Sequence, residues 1–403
     1  MRPPSICVTA VWLACAAPTA SADTIIVDPG GGGDAVTIQG GIDLAQDGDQ
    51  VLVLPGLYEE NVTCEEKSIT LTGSGGATVT TIDGHGSGPV VVVTDATAFE
   101  LRGFTVMRGL GVSYGGGLVP ADLGELTVER CRFRENAAYN GGGGVFVPVD
   151  THARIEDCVF EENASDYEYG EGGGVCVRSG TAEIRRCRFL GNTARRGGGV
   201  SCYWTTVVIE ENVFDGNDVS RGGGGVFTAG GYVTVSRNLF VRNIAYRGGG
   251  GFQVSEGGYP IVEANTFVAN ESPWPFAGGI QLGTGAFEAA VNNNIVYGSP
   301  EYGIHAIENV DLHCRCNDVF ANGLGNYGGT LTDPTGSDGN FSEDPQFCGP
   351  SSDDFTVAEG SPCSPGHHPQ GVDCGWIGCF ETGCGPSPAE RLSWGGLKEL
   401  FRR

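Results

Sequence analysis

Apolar residues recur two apart between residues 126 and 267, then again after a polar pair, in blocks that superpose. Leu126, Val128, Cys131 and Phe133 match Ala153, Ile155, Cys158 and Phe160, then Ala182, Ile184, Cys187 and Phe189. The following blocks are Val207, Ile209, Asn212, Phe214; Val233, Val235, Asn238, Phe240; and Pro260, Val262, Asn265, Phe267. A spacing of two puts such residues on one side of a strand. Outward pairs such as Glu129-Arg130, Arg185-Arg186 and Glu210-Glu211 interrupt the alternation and predict a corner that turns the next strand back over the same core. A glycine run and a third apolar strand, as at 145–147, 175–177 and 226–228, complete each block.

The blocks are anchored by six Phe-x-x-Asn motifs, at Phe133, Phe160, Phe189, Phe214, Phe240 and Phe267, with steps of 27, 29, 25, 26 and 27 residues. Self-similarity at such a period is the signature of a solenoid. The pattern therefore predicts an all-β fold, a single-stranded right-handed parallel β-helix of about 12 turns in which like positions stack on like. The six phenylalanines become one internal stack. The column two residues earlier becomes a ladder of Cys131, Cys158 and Cys187, then Asn212, Asn238, Asn265, Asn294 and Asn317, whose amides can satisfy one another along the axis. The glycine runs supply turns with positive φ or a close approach between turns.

Both ends of such a coil need covering. Thr37 is a suitable N-cap for a short helix from Ile38 to Ala45 over the first turn, ahead of a strand at Val51–Leu54. Cys348, Cys363, Cys374, Cys379 and Cys384 crowd into a Pro/Gly-rich stretch after the repeats stop, and are disulfide candidates for a terminal cap. The expected organisation is a signal peptide at 1–22, the β-helix at 23–345, a Cys-rich cap at 346–385, and a linker with a short amphipathic tail at 386–403.

The signal peptide rests on Arg2, the apolar stretch Ile6 to Ala17 and an Ala20-Ser21-Ala22 cleavage site. It implies a secreted, extracellular or cell-envelope protein of bacterial type, with no membrane span in the mature chain. In the tail, Trp394, Leu397, Leu400 and Phe401 share a helical face ahead of Arg402-Arg403, which suits a sorting or anchoring signal. Glycine accounts for 69 of the 403 residues, and the formal net charge is −26. An acidic balance of that size argues against nucleic acid as a partner. The protein is expected to be a monomer without cofactors. Calcium is the one ion its acidic loop, Glu161-Glu162 with Asp166, Glu168 and Glu171, would suit, against a solvated corner as the alternative. His367-His368 lacks the Cys-x-x-Cys spacing of a zinc site, so no metal site is assigned.

Thirteen cysteines remain after cleavage, an odd number. The ladder cysteines, with Cys202 and Cys314, read equally as small buried apolar groups or as disulfide partners one turn apart.

Two resemblances accompany these readings. TIQGGIDLAQDGDQVLVLPGLYEENV resembles the opening of pectin-lyase-like β-helix proteins, and Phe-x-x-Asn with Gly-Gly-Gly-Val resembles the repeat of chlamydial polymorphic outer-membrane proteins. The end of the chain is similar to that of exported bacterial right-handed β-helix repeat proteins. The resemblance implies the fold, but that fold hosts lyases, hydrolases, epimerases and adhesins alike. Neither the paired carboxylates of a glycoside hydrolase nor an arginine beside clustered calcium acids is evident in the spacing. Gly84-His85-Gly86 imitates a hydrolase motif from outside the main repeats.

One surface feature stands out. Arg196, Arg221 and Arg247 each precede a glycine run directly, and the expected result is a positive stripe accompanied by Trp204, Tyr232, Tyr246 and Trp274. Arginine suits uronate carboxylates and aromatic rings suit sugar faces; the alternative is a set of solvated or locally paired arginines. The function expected is an exported, non-catalytic β-helix that binds glycans or a cell surface, or is structural there. The alternative is a polysaccharide lyase, glycoside hydrolase or epimerase acting on an acidic polysaccharide.

Overall fold

A computed structural model describes residues 22–165, 168–285, 288–308 and 310–384. The expected signal peptide, the amphipathic tail and Asp166 lie outside these residues. The described chain winds into a parallel β-solenoid of about 11 turns; its second sheet alone contains 11 strands in sequential order. A longer first sheet and a six-stranded third sheet complete the walls, and among the described residues only the hairpin of Phe347–Gly349 with Asp354–Val357 is antiparallel. The one α-helix among the described residues, Ile38–Leu44, covers the first turn, and the Thr37 side chain accepts from the Gly40 N–H.

Register is strict where the core demands it. Phe133, Phe160, Phe189, Phe214, Phe240 and Phe267 pair in sequence across the second sheet. Their rings stack with centroid separations falling from 5.0 to 4.5 Å and interplanar angles of 5–7°. Glycine lies over each ring. A Cβ on Gly199 would stand 2.6 Å from Phe214 Cδ1 and 2.7 Å from the Gly225 carbonyl oxygen, too close for any side chain.

At two corners per turn a residue in the left-handed region precedes a buried ladder residue, and at the first of them it is not glycine. Arg186, Glu211 and Arg237 hold φ of 51–57° before Cys187, Asn212 and Asn238. Left-handed backbone of this kind costs roughly 1 kcal/mol per residue, and the ladder offsets it. Asn212 Nδ2 donates to Ile184 O (2.8 Å) and to Asn238 Oδ1 (3.0 Å), while the Asn212 N–H also donates to Asn238 Oδ1. The same bonds recur through Asn265, Asn294 and Asn317 to Asn340. The asparagines of Phe-x-x-Asn build a second ladder, in which Asn136, Asn163, Asn192, Asn217, Asn243 and Asn270 bond serially at 2.8–3.0 Å.

The ladder cysteines are free thiols, as are Cys202 and Cys314. Cys131, Cys158 and Cys187 donate to the carbonyls of Glu129, Glu156 and Arg185 at 3.1–3.3 Å. Each takes the ladder position with a weaker donor and needs no cross-link.

The Cys-rich segment departs from the expectation in two respects. Its disulfides are Cys316–Cys374 and Cys348–Cys384, whereas Cys363 and Cys379 are free. Cys316 is the left-handed residue at a corner of the last turns, so its side chain points out toward the segment that covers the end. The segment also does more than close the end. It folds back along the outer face of the second sheet, where Phe355, Phe347 and Phe380 pack on Val213, Leu239 and Val268. Cys363 seals another outward position, and its thiol donates to Asp318 Oδ2 at 3.3 Å. Asp318 and Cys363 are both fully buried.

Replacing Phe214 by Ala removes one ring from the stack and is expected to cost about 3–5 kcal/mol, read as a shift in the denaturant midpoint. Burial pushes the Asp318 carboxyl up to about 7, against the pull of the Glu343 N–H and the Cys363 thiol. A raised folded-state value means that the stability Asp318 contributes at low pH is lost as pH rises from about 4 through 7. In Asp318→Asn that loss should vanish, and the variant should gain on the parent over this window in unfolding midpoints measured against pH.

Candidate functional site

The third corner of each turn, where the glycines lie, is the one corner without a buried asparagine. Turn length varies here: eight residues separate Asn192 from Val200, but twelve separate Asn163 from Val175. Side chains at this corner face solvent or fold over the start of the first sheet, so chemistry can change without disturbing the core.

Backbone pairing here shifts the expected arginine stripe by one residue. The Arg221 N–H donates to the Arg195 carbonyl (2.9 Å) and the Arg247 N–H to the Arg221 carbonyl (2.7 Å). The stacked column is therefore Arg195, Arg221 and Arg247, each five residues before its strand-opening Val200, Val226 or Phe252. The glycine run is one residue longer at 222–225 and 248–251 than at 197–199. Gln253 explains the extra glycines, because its Oε1 would lie 1.6 Å from a Cβ on Gly222 and 1.9 Å from one on Gly248.

Arg196 takes the position of those glycines and turns inward. Its guanidinium lies 4.9 Å from the Phe227 ring, 3.4 Å from the Tyr203 hydroxyl and 3.7 Å from Glu171 Oε1. Arg195 reaches the same Glu171 oxygen at 3.4 Å. Arg178 lies between the Tyr114 and Tyr203 rings, at 5.5 and 5.3 Å, and donates to the Tyr114 hydroxyl at 2.8 Å. Glu171 is buried, and burial pushes its carboxyl above the usual range even though Tyr203, Arg196, Arg195 and Arg178 pull it down.

Arg221 and Arg247 remain exposed. Arg247 lies 5.8 Å from the Trp274 ring. The charge of Arg195, then slight burial, then Arg196 and Arg247 hold the Arg221 guanidinium below its ordinary value. Four guanidiniums thus converge where Glu171 is the ion-pairing carboxylate among the described residues. Trp204 and Tyr232 lie elsewhere, at a bend within the first-sheet strands Val200–Glu210 and Val226–Ser236. Tyr246, next to Arg247, is exposed.

Other expected features are engaged differently. Glu161 pairs with Arg132 and Arg134, and Glu162 with Arg134. Among the described residues no group of three or more His, Cys, Asp or Glu is arranged to hold a metal. His368 is buried, with Nε2 2.8 Å from the Gly339 carbonyl oxygen. At Gly84-His85-Gly86, His85 Nε2 lies 3.0 Å from Glu59 Oε1. Its neighbour Asp83 is buried, yet the Arg108 guanidinium and the His85 N–H outweigh that burial and hold its carboxyl below the usual range. A carboxylate tied to arginine in this way is poorly placed as a general acid.

The family model described as the right handed beta helix region matches residues 68–245 and 168–319. No curated protein matches the sequence. Among solved structures, a PL6 family alginate lyase, AlyGC, in an arginine-to-alanine mutant form, aligns at 14% identity with a TM-score of 0.32. That alignment covers 78% of this chain and 54% of the lyase, about half its length, and carries no argument about chemistry. Among the described residues no helix is long and apolar enough to cross a membrane.

The inward and outward arginines should separate on substitution. Arg196→Gln loses the Phe227, Tyr203 and Glu171 contacts and is expected to lower stability by about 1–3 kcal/mol. Arg221→Gln should stay within about 0.5 kcal/mol of the parent. Denaturant midpoints of the two variants check this.

Proposed function

The chain belongs to the right-handed β-helix family, and from that premise we propose that it is an exported, non-catalytic β-helix that binds an acidic polysaccharide, free or on a cell surface, through the Arg195–Arg221–Arg247 column. The observation that carries this reading is the unbalanced cluster of like charge. Three arginines stacked at turn spacing repel one another, and Glu171 neutralises them only in part. A polyanion running along the axis would relieve that repulsion, with guanidiniums offering paired donors to carboxylate or sulfate groups. The cluster stands on a chain of net charge −26, so an anionic ligand would be attracted locally and repelled elsewhere. The two disulfides fit the oxidising compartment that an exported protein meets.

A catalytic reading draws support from one observation. Glu171, its carboxyl raised by burial, packs with the Tyr203 hydroxyl and three arginines, a combination of groups that proton transfer to a sugar acid would use. Recording unsaturated or reducing ends in the same polysaccharide screen distinguishes it from binding alone.

The triple variant Arg195→Gln/Arg221→Gln/Arg247→Gln should lose retention on immobilised dextran sulfate and on polyuronates at low salt, while the parent is retained and elutes as salt rises. Equal retention of parent and triple variant would remove the column from function.

A further inference from the structure

Beyond the arginine column, the outer face of the first sheet carries a second surface of different character. The strands Val200–Glu210, Val226–Ser236 and Tyr259–Glu263 lie side by side, and their outward positions pair as Thr206–Tyr232–Tyr259 and Val208–Thr234–Ile261. These six positions carry no charge. The second of these columns is charged toward the N-terminus, at Arg154 and Glu183, and runs through Ala290 to His313 toward the C-terminus, while the first continues to Thr181 and His152 on its N-terminal side.

Within this island the rings are aligned. Tyr232 and Tyr259 stack with centroids 5.1 Å apart and planes 16° from parallel. Trp204 holds a φ of 52° at the bend, and its ring lies on the bend of the next turn, where a Cβ on Gly230 would stand 2.3 Å from Trp204 Cε3. Gly230 is two residues before Tyr232, so backbone without a side chain brings the indole beside the tyrosine row. Burying aromatic surface against protein would stabilise the chain, yet Trp204, Tyr232 and Ile261 are 62%, 63% and 44% exposed.

We propose that Trp204, Tyr232 and Tyr259 form a second carbohydrate-binding surface, independent of charge, that takes the apolar faces of pyranose rings in a neutral β-linked polysaccharide. Rings repeating once per turn match a ligand that repeats along its own axis. The hydroxyls of Thr206, Thr234 and Tyr232 can bond to ring hydroxyls at the edges. An uncharged island on a strongly acidic chain excludes neither face of a neutral glycan, whereas a polyanion gains nothing there. Binding at this surface should be insensitive to salt, unlike binding at the arginine column.

The test is co-sedimentation of the purified protein with microcrystalline cellulose at high salt, paired with cellohexaose titrations followed by tryptophan fluorescence. The parent should be retained, and Tyr232→Ala/Tyr259→Ala should bind about tenfold more weakly with an unchanged unfolding midpoint. The fluorescence response should disappear in Trp204→Phe. The arginine triple variant should keep its cellulose binding, so failure of one surface is distinguishable from failure of the other. No retention of the parent on cellulose, or equal retention of the tyrosine variant, overturns the proposal. So does concentration-dependent self-association of the parent, in sedimentation analysis, that the tyrosine variant lacks: the face would then pair two copies of the chain.

Discussion

The asparagine ladders are the constraint on which the molecule depends. At each of two corners the backbone enters the left-handed region, and the next side chain points into a core with no water to satisfy it. A buried amide left unpaired costs about 1–3 kcal/mol. The cost is avoided only when the next turn presents its own asparagine at hydrogen-bond distance, as Asn217 does for Asn192 at 3.0 Å. Each turn must therefore lie directly on the last, and the phenylalanine stack and glycine layer follow from the same vertical alignment. Variation falls where no amide is buried, at the remaining corner and at the bend within the first sheet, and the surface chemistry accumulates there and on the outward strand faces.

The terminal segment shows how the same geometry treats an outer face. Along the outward column of the second sheet, Arg132, Val159 and Arg188 occupy the earlier turns, while Val213, Leu239, Thr266 and Ile295 occupy the later ones. An apolar outward column needs a cover, and residues 341–384 provide it, tied down by Cys316–Cys374 and by the ion pair of Arg242 with Asp353 at 2.6 Å. Asp318 is the exception in the later column: the cover buries its carboxyl completely, and that burial favours the protonated form although the Cys363 thiol and the Glu343 N–H both donate to it.

Two surfaces on one rigid coil would read different properties of a glycan. On the proposed reading the arginine column would read charge and weaken as salt screens it. The aromatic row would read ring faces through contact area, which salt leaves alone. Both arise because a side chain repeated in sequence becomes a row in space, so a few residues suit a polymer better than a small molecule.

Much of this was legible in the sequence. Apolar spacing of two, the corner pairs and Phe-x-x-Asn determined a parallel β-helix and its inward columns, because those positions are dictated by burial and by hydrogen bonds that repeat each turn, and the N-cap at Thr37 with helical apolar spacing after it marked the one short helix. Position relative to Val200, Val226 and Phe252 already aligned Arg195 with Arg221 and Arg247; alignment on the glycines concealed it, since glycine number follows whatever packs above, here Gln253. The apolar run Val213, Leu239 and Ile295 was equally visible, but only its contact with Phe355 and Phe347 gives it meaning. Which cysteines pair, that both Arg195 and Arg196 reach the buried Glu171, and that Trp204 and Tyr232 lie apart from the arginine column were decided by tertiary structure alone. These depend on distances between chain segments far apart in sequence, and a repeat pattern fixes only what each turn shares with the next.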